Sequence, residues 1–213
     1  MNTRRGPVRL PAVGSGLSRT GTRSVYAALI RHGISAVHYP FDRSTQLSLE
    51  RREFPKVAEQ AVILDLSSAA FFEDLVRAKP GTPVIHTTRP VQSWLPAVAA
   101  HYDGLLAQWD DYPSRFQDFS SWITEQTYGA FPPQESDFLR TFHQQEERVD
   151  AWAASNPGDV LTVNVFTGEG YGELGPFLGL EKFSGESFPH VRDSDELPVS
   201  GNMAERTILL DEM

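Results

Sequence analysis

A glycine-rich turn between an apolar segment and a helical segment constrains this chain more than any other feature. Apolar residues dominate positions 8–13, the turn occupies residues 14–24, and Val25, Ala28 and Leu29 continue at helical spacing. A strand, a glycine-rich turn and a helix in this order aim several backbone N–H groups and the positive end of the helix at one point. The pattern therefore predicts a loop that binds an anion, most often phosphate.

The turn differs from the loop that binds nucleoside triphosphates. After Gly16 and four intervening residues come Gly21, Thr22 and Arg23, where a nucleotide-binding P-loop has Gly, Lys and Ser or Thr. The missing Lys favours a phosphate-like group other than the triphosphate of ATP or GTP.

Composition limits the classes of function that remain. The chain has 213 residues, 40% of them hydrophobic, and we expect one domain over residues 1–213. The net charge of -9 argues against a nucleic-acid partner, so local arginines and backbone dipoles must hold any anion. The chain has no Cys, which excludes disulfides and thiolate metal sites and fits a cytoplasmic protein. No apolar run approaches the roughly 20 residues of a membrane helix, so we expect no membrane insertion.

Strands alternate with helices along the chain. This alternation predicts an α/β fold with a mostly parallel sheet of the P-loop type and helices on both faces, a three-layer sandwich. The expected strands are residues 8–13, 34–39, 61–64, 83–88 and 160–165. The expected helices are residues 24–32, 68–78, 90–109, 136–154 and 172–178.

Some segments fall outside this alternation. We expect residues 1–7 to be a disordered lead and residues 196–213 a tail. Residues 110–134 are rich in aromatic side chains, Ser and Pro without a clear period, and we predict an irregular lid or acceptor-binding loop there. Pro11 conflicts with a central strand because it lacks a ladder donor, so either a bulge or a later start of the strand is expected.

Four sequence features converge at the carboxyl ends of the expected strands. The turn at residues 14–24 follows the first strand, and His38, Asp65 and Arg89 lie at the ends of the next three. Ligands of open α/β sheets bind at this edge. We therefore predict one site there. From the residues alone, Asp65 can equally begin a helix, His38 can be a half-buried strand residue, and Arg89 can pair with a surface carboxylate.

The chain resembles a known family, the sulfotransferases that use 3′-phosphoadenosine-5′-phosphosulfate (PAPS), in particular their small soluble P-loop branch. Four blocks carry the resemblance, in the order of the family, and span residues 8–195. They are Gly-Leu-Ser-Arg-Thr-Gly-Thr-Arg-Ser at 16–24 with Ala28-Leu29, Gly33 and His38, Asp65 with Phe-Phe-Glu-Asp-Leu at 71–75, Pro-Val-Ile-His-Thr-Thr-Arg at 83–89 with Ser93-Trp94, and Phe-Leu-Gly-Leu at 177–180 with Phe-Pro-His-Val-Arg-Asp at 188–193.

The resemblance implies a role for each matching residue. Arg19 would face the 5′-phosphosulfate, Arg89 would bind the 3′-phosphate, and Asp65 or His38 would accept the proton of the acceptor. The implied reaction moves a sulfuryl group from PAPS to a small-molecule hydroxyl or amine and releases adenosine 3′,5′-bisphosphate, without a metal. The residues placed around the donor are Ser18, Arg19, Thr20, Gly21, Thr22, Arg23, Ser24, Arg89, Ser93 and Arg192.

Three departures from the family pattern keep two other functions open. Ala97 stands where many relatives have a Ser for the 3′-phosphate, Pro90-Val91 replaces Asp-Pro, and Arg23 replaces a smaller residue; Ser93 or Arg192 would have to compensate. One alternative is a P-loop kinase for small molecules, which the missing Lys disfavours. The other is a catalytically silent module that binds a nucleotide or a protein.

Two histidines and one charged run are expected to have structural rather than functional roles. His86 alternates within a strand and is expected to be structural. His190 is expected to order the tail, and the run Glu146-Glu147-Arg148 is expected to be a solvated helix face.

Overall fold

A single parallel sheet organises the chain. The computed structural model describes residues 8–40, 42–180 and 187–191, and within them five strands lie in the order β2-β3-β1-β4-β5, each parallel to its neighbours. The predicted α/β class and parallel sheet are confirmed. The strands are β1 (Ala12–Gly14), β2 (Ala36–Val37), β3 (Val62–Ile63), β4 (Val84–Thr87) and β5 (Val160–Val163).

Helices cover both faces of this sheet. The helices of the described residues are α1 (Thr22–Arg31), α2 (Arg43–Glu50), α3 (Leu66–Ala69), α4 (Phe72–Ala78), α5 (Val91–Ala107), α6 (Ser114–Tyr128), α7 (Glu135–Ser155) and α8 (Tyr171–Leu178). Short 3₁₀ helices occupy Lys56–Ala58, Trp109–Asp111 and Val165–Thr167. In the described ranges, no helix is long and apolar enough to cross a bilayer.

Alternate residues of each central strand enter different cores. In β1, Ala12 packs with residues of α1 and α8, whereas Val13 packs with residues of α4, α5 and α7. The neighbours Val84 and Ile85 of β4 divide in the same way. Because both faces of the sheet are buried at its centre, the strands β1 and β3 and the first half of β4 are apolar on both faces rather than alternating. The two cores give the predicted three layers.

The conflict at Pro11 is resolved by a late start of the first strand. β1 begins at Ala12, directly after the proline. Ala12 N–H donates to the Ala61 carbonyl and Val13 N–H to the Pro83 carbonyl, so the ladder on both sides needs no donor from Pro11.

The irregular segment predicted for residues 110–134 is instead mostly helix α6, which ends at Gly129 in a left-handed conformation with φ 84°. Phe119, Ile123 and Tyr128 bury one side of it in the core. Tertiary packing of these few apolar residues overrides a sequence dominated by polar side chains. The role of this segment as a lid or acceptor-binding element stays a prediction, and the expected lead and tail lie outside the described residues.

Trp94 connects the larger core to the glycine-rich turn. Its side chain is fully buried on α5 and packs against Phe138 and Phe142 of α7. Its indole N–H donates to the Ser18 carbonyl at 2.9 Å. This buried hydrogen bond therefore attaches the turn to the core in addition to the chain itself.

We predict that Trp94→Phe lowers the free energy of unfolding by about 1–3 kcal/mol, because the Ser18 carbonyl loses its buried partner. Urea denaturation with linear extrapolation measures this loss. The matched control is Trp109→Phe, at a half-buried position against Phe131. Equal stability losses in the two variants would contradict the role given to the Trp94 hydrogen bond.

Candidate active site

A cavity of about 480 Å³ opens at the carboxyl edge of the sheet, where the sequence analysis placed the site. Its volume lies within the range of small-molecule pockets. It brings together nine of the predicted site residues with four others. The lining residues are Ser18, Arg19, Gly21, Thr22, Arg23, Ser24, His38, Asp65, Arg89, His101, Phe166, His190 and Val191.

The turn reaches this edge because two of its residues have no side chain. A Cβ atom on Gly16 would lie 1.9 Å from Thr87 Oγ1 and 2.7 Å from the Thr87 carbonyl oxygen. Gly21 has φ 107°, which only glycine adopts readily, and a Cβ there would lie 2.4 Å from Val165 Cγ2. The turn therefore lies directly on the ends of β4 and β5.

The N-terminus of α1 supplies the anion-binding groups of the turn. Gly21 is the N-cap, and its carbonyl accepts from Ser24 N–H and Val25 N–H. The first N–H groups of a helix, here those of Thr22 and Arg23, have no partner within the helix and carry its positive dipole end. Together with the side chains of Arg19 and Arg23 in the cavity wall, they form a site suited to an anion.

Arg89 is held in a defined orientation on the same wall. Its Nε donates to Ser93 Oγ at 3.1 Å, its Nη1 donates to the Arg19 carbonyl at 3.2 Å, and its guanidinium lies 4.1 Å from the ring centre of Phe166. Burial, and secondarily the charge of Arg19, lower the pKa of Arg89. Two guanidinium groups that repel each other across a cavity are stabilised by an anion between them.

Asp65 is the centre of a polar cluster on the opposite side. Ser18 Oγ donates to Asp65 Oδ1 at 2.9 Å, and Thr22 Oγ1 lies 3.5 Å from the same oxygen. Thr22 Oγ1 also lies 3.0 Å from His38 Nε2, and His38 Nδ1 lies 3.9 Å from Asp65 Oδ2. The turn, the end of β2 and the end of β3 thus meet at one carboxylate.

The backbone of Asp65 is strained. Its φ of 68° and ψ of -163° lie in a region that residues other than glycine almost never occupy. The residue begins α3, and its carbonyl accepts from Ser68 N–H and Ala69 N–H. It is the N-cap of α3 by position, but its side chain makes no capping bond and lines the cavity instead. A strained residue whose side chain is directed away from capping is typical of functional sites.

His38 is neutral at pH 7. Burial lowers its pKa below the usual 6.5, the positive charges of Arg23 and His101 lower it further, and Asp65 opposes them. A neutral imidazole beside a carboxylate can share or accept a proton at physiological pH.

Three predicted site residues do not line the cavity as described. Thr20 is buried, donates to the Leu17 carbonyl at 2.7 Å and lies 2.6 Å from Thr87 Oγ1, so it holds the turn from below. Ser93 orients Arg89 from outside the lining. Arg192 lies outside the described residues.

Sequence reasoning missed His101, Phe166 and Val191 and gave His190 only a role in the tail. His101 lies seven residues after Trp94 on α5, so a polar residue on a core-facing stripe was its signal. Phe166 is 48% exposed just beyond β5, an unusual place for a phenylalanine. Val191 is held by its N–H donating to Ser24 Oγ at 3.1 Å.

The expectation of a solvated face at Glu146 was wrong. Its carboxylate is half-buried, accepts from Thr88 Oγ1 at 2.9 Å and lies 3.0 Å from His86 Nε2. Helix α7 directs the Glu146 side chain toward the end of β4, whereas the Glu147 side chain remains exposed.

Comparison with known proteins identifies a family. A family model described as a sulfotransferase domain matches residues 12–197. The search of curated proteins found no match. The matched range contains the glycine-rich turn, Asp65 and Arg89. Within the part of the chain that the structure describes, no group of three or more His, Asp or Glu residues is arranged to hold a metal ion.

We predict that Gly21→Ala destabilises the protein more than Gly33→Ala. Both residues have positive φ, 107° and 74°, so each alanine meets a backbone penalty of about 1–2 kcal/mol. Only the Cβ at position 21 also meets Val165, whereas nothing lies within 4 Å at position 33. The free energies of unfolding of the two variants measure the difference, and equal values would contradict the close approach of the turn to Val165.

Proposed function

The chain belongs to the sulfotransferase family, and from this premise we propose that it transfers a sulfuryl group from PAPS to a hydroxyl or amine of a small-molecule acceptor, with adenosine 3′,5′-bisphosphate as the product. The observation that carries the proposal is the charge of the cavity. Arg19, Arg23 and Arg89 line it together with the N-terminus of α1, in a chain of net charge -9. Cations concentrated at one place against the overall charge favour an anionic ligand.

Two separate groups of residues fit the two anionic ends of such a donor. Arg19 and the first amides of α1 would hold the 5′-phosphosulfate. Arg89, oriented by Ser93 and by the Arg19 carbonyl, would hold the 3′-phosphate. Ser93 thereby places a hydroxyl group beside Arg89, whereas Ala97 has no hydroxyl group to offer. A bidentate, oriented guanidinium is well suited to a phosphate group.

The chemistry requires positioning and one proton acceptor. The acceptor oxygen or nitrogen bonds to sulfur while the bond from sulfur to the bridging phosphate oxygen breaks, and the acceptor's proton passes to a base. Negative charge collects on the leaving phosphate oxygen, where Arg19 and the α1 amides stabilise it. Such transfers depend mainly on alignment and electrostatics.

We assign the proton acceptor to Asp65. Its Oδ1 accepts the hydrogen bond from Ser18, and among the described residues its Oδ2 has only the long 3.9 Å approach of His38 Nδ1. Both nitrogens of His38 are directed at protein groups, Nε2 at Thr22 and Nδ1 at Asp65. The carboxylate therefore keeps an accessible lone pair for the proton of the acceptor.

The acceptor would enter on the side of α6. Tyr39 follows His38 directly, its hydroxyl lies 2.7 Å from Ser120 Oγ of α6, and its ring contacts Phe116 and Phe119. These contacts with the residue after His38 support a role for the segment 110–134 in binding the acceptor. We propose that the protein is located in the cytoplasm, since a chain without Cys needs no oxidising compartment.

Calorimetric titration with adenosine 3′,5′-bisphosphate, with ATP plus Mg²⁺ as the comparison, tests the donor. We predict micromolar binding of the bisphosphate. Arg89→Ala should weaken it about 10- to 150-fold, since a charged hydrogen bond contributes about 1.5–3 kcal/mol. Arg31→Ala, on the exposed last turn of α1, is the control. Binding of ATP alone would point to a kinase, and binding of neither to a silent module.

We predict that Arg19→Ala lowers sulfuryl transfer by about 10²–10³-fold, because a donor to the leaving oxygen is lost. The assay follows radiolabelled PAPS with a panel of phenols, alcohols and amines. An unchanged transfer rate would remove Arg19 from the transition state.

We predict that Asp65→Asn lowers turnover by about 10²–10⁴-fold while bisphosphate binding survives. Since the pKa of His38 is lowered from 6.5, its protonation occurs below pH 6.5. Protonated His38 carries a hydrogen on Nδ1 and competes with the acceptor for Asp65 Oδ2, so the rate should fall as the pH drops through that range. His38→Gln should flatten this acid limb. Full activity of Asp65→Asn would transfer the role of base to His38.

A further inference from the structure

A second polar network lies beneath the glycine-rich turn, outside the cavity. Glu146 of α7 accepts from Thr88 Oγ1 at 2.9 Å through the same oxygen, Oε1, that lies 3.0 Å from His86 Nε2. Thr88 directly precedes Arg89. One carboxylate oxygen thus contacts the strand end from which the proposed 3′-phosphate ligand projects.

The other side of His86 reaches the start of the turn. Its Nδ1 lies 3.1 Å from Ser15 Oγ, and both residues are buried. Both ring nitrogens of His86 thus have a hydrogen-bond partner, the Glu146 carboxylate at Nε2 and the Ser15 hydroxyl at Nδ1. The chain of contacts Ser15, His86 and Glu146 therefore runs from the turn to α7.

The preceding residue of α7, Gln145, holds the backbone of the same region through its side-chain amide. Gln145 Nε2 donates to the Ser15 carbonyl at 2.7 Å and to the Ala69 carbonyl at 3.0 Å. Arg148 Nη1 donates to Gln145 Oε1 at 2.9 Å and so orients the amide. Ala69 is the last residue of α3, the short helix that Asp65 begins. Gln145 thus links the turn to the helix that carries the proposed base.

Glu146 is charged in this environment. Burial alone raises its pKa, but the hydrogen bond and charge of His86 and the hydrogen bond of Thr88 outweigh it and lower the pKa below the usual value. An ionised acceptor gives the stronger kind of hydrogen bond.

We propose that Glu146 is a positioning residue for the donor site: through Thr88 and through His86 to Ser15, it sets the spacing between Arg89 and the glycine-rich turn. The inference rests on the proposed function, because it assigns the purpose of this spacing to the two anionic ends of the donor. Glu146 itself touches neither the donor nor the acceptor.

The test compares Glu146→Ala with three other variants of α7. Glu147→Ala removes the exposed neighbouring carboxylate, and Glu146→Gln keeps an oxygen that accepts from His86 and Thr88. Val149→Ala destabilises the same helix through the core, since Val149 is 2% exposed. Adenosine 3′,5′-bisphosphate is the binding probe, the free energy of unfolding is measured for each variant, and hydrogen exchange follows the amides of residues 14–24 in the free protein.

We expect Glu146→Ala to weaken bisphosphate binding at least tenfold and to speed exchange in residues 14–24. Glu147→Ala and Val149→Ala should bind within twofold of the unaltered protein, although Val149→Ala is less stable. Glu146→Gln should recover most of the binding. Ser15→Ala, which removes only the hydroxyl next to His86, serves as a second variant if Glu146→Ala does not fold and should weaken binding in the same direction.

The proposal is overturned if Glu146→Ala binds and exchanges like Glu147→Ala, if Val149→Ala weakens binding as much, or if Gln at position 146 gives no recovery. Failure of the unaltered protein to bind the bisphosphate would instead overturn the proposed function. The hydrogen-exchange comparison would then still decide whether Glu146 orders the turn, because it needs no ligand.

Discussion

The close approach of Gly16 to Thr87 is the contact on which the site depends. No Cβ atom fits between the turn and the end of β4, because both the side chain and the carbonyl of Thr87 occupy the space. Thr20 then hydrogen-bonds to Thr87 from below, and Trp94 holds the Ser18 carbonyl from the core. Because the turn is fixed in this way, the N-terminus of α1 is directed into the cavity.

This arrangement concentrates unfavourable terms in one small region. Arg19 and Asp65 both have positive φ, and Arg19 and Arg89 repel each other. Backbone strain of this kind costs about 1–3 kcal/mol per residue and persists only where the surrounding structure enforces it. The repulsion is relieved by an anion, whereas the strain at Asp65 keeps a carboxylate in the cavity wall instead of on a helix cap. The site is thus arranged in advance for charge that arrives with a ligand.

The sequence predicted well which residues lie together where the sheet edge alone determines it. His38, Asp65 and Arg89 come together because parallel strands end at the same edge, which apolar runs reveal. It failed where long-range packing decides. Helix α6 has few apolar residues, and their burial depends on partners elsewhere in the chain. Glu146 belongs to a run that is typical of a solvated face, and its partners lie 58 and 60 residues away.

The two halves of the proposed reaction come from different strand ends, and a sheet does not fix such ends relative to each other. The ladder stops at Gly14 of β1 and Ile63 of β3, while the glycine-rich turn and Asp65 lie beyond it. Transfer that depends on alignment loses rate steeply when its groups shift by an ångström. Gln145 bridges this gap, since one amide group holds both the Ser15 and the Ala69 carbonyls. Helix α7 is far from the proposed site residues in the sequence. It nevertheless keeps the turn and α3 aligned beyond the ends of the strands, as strand pairing does within the sheet.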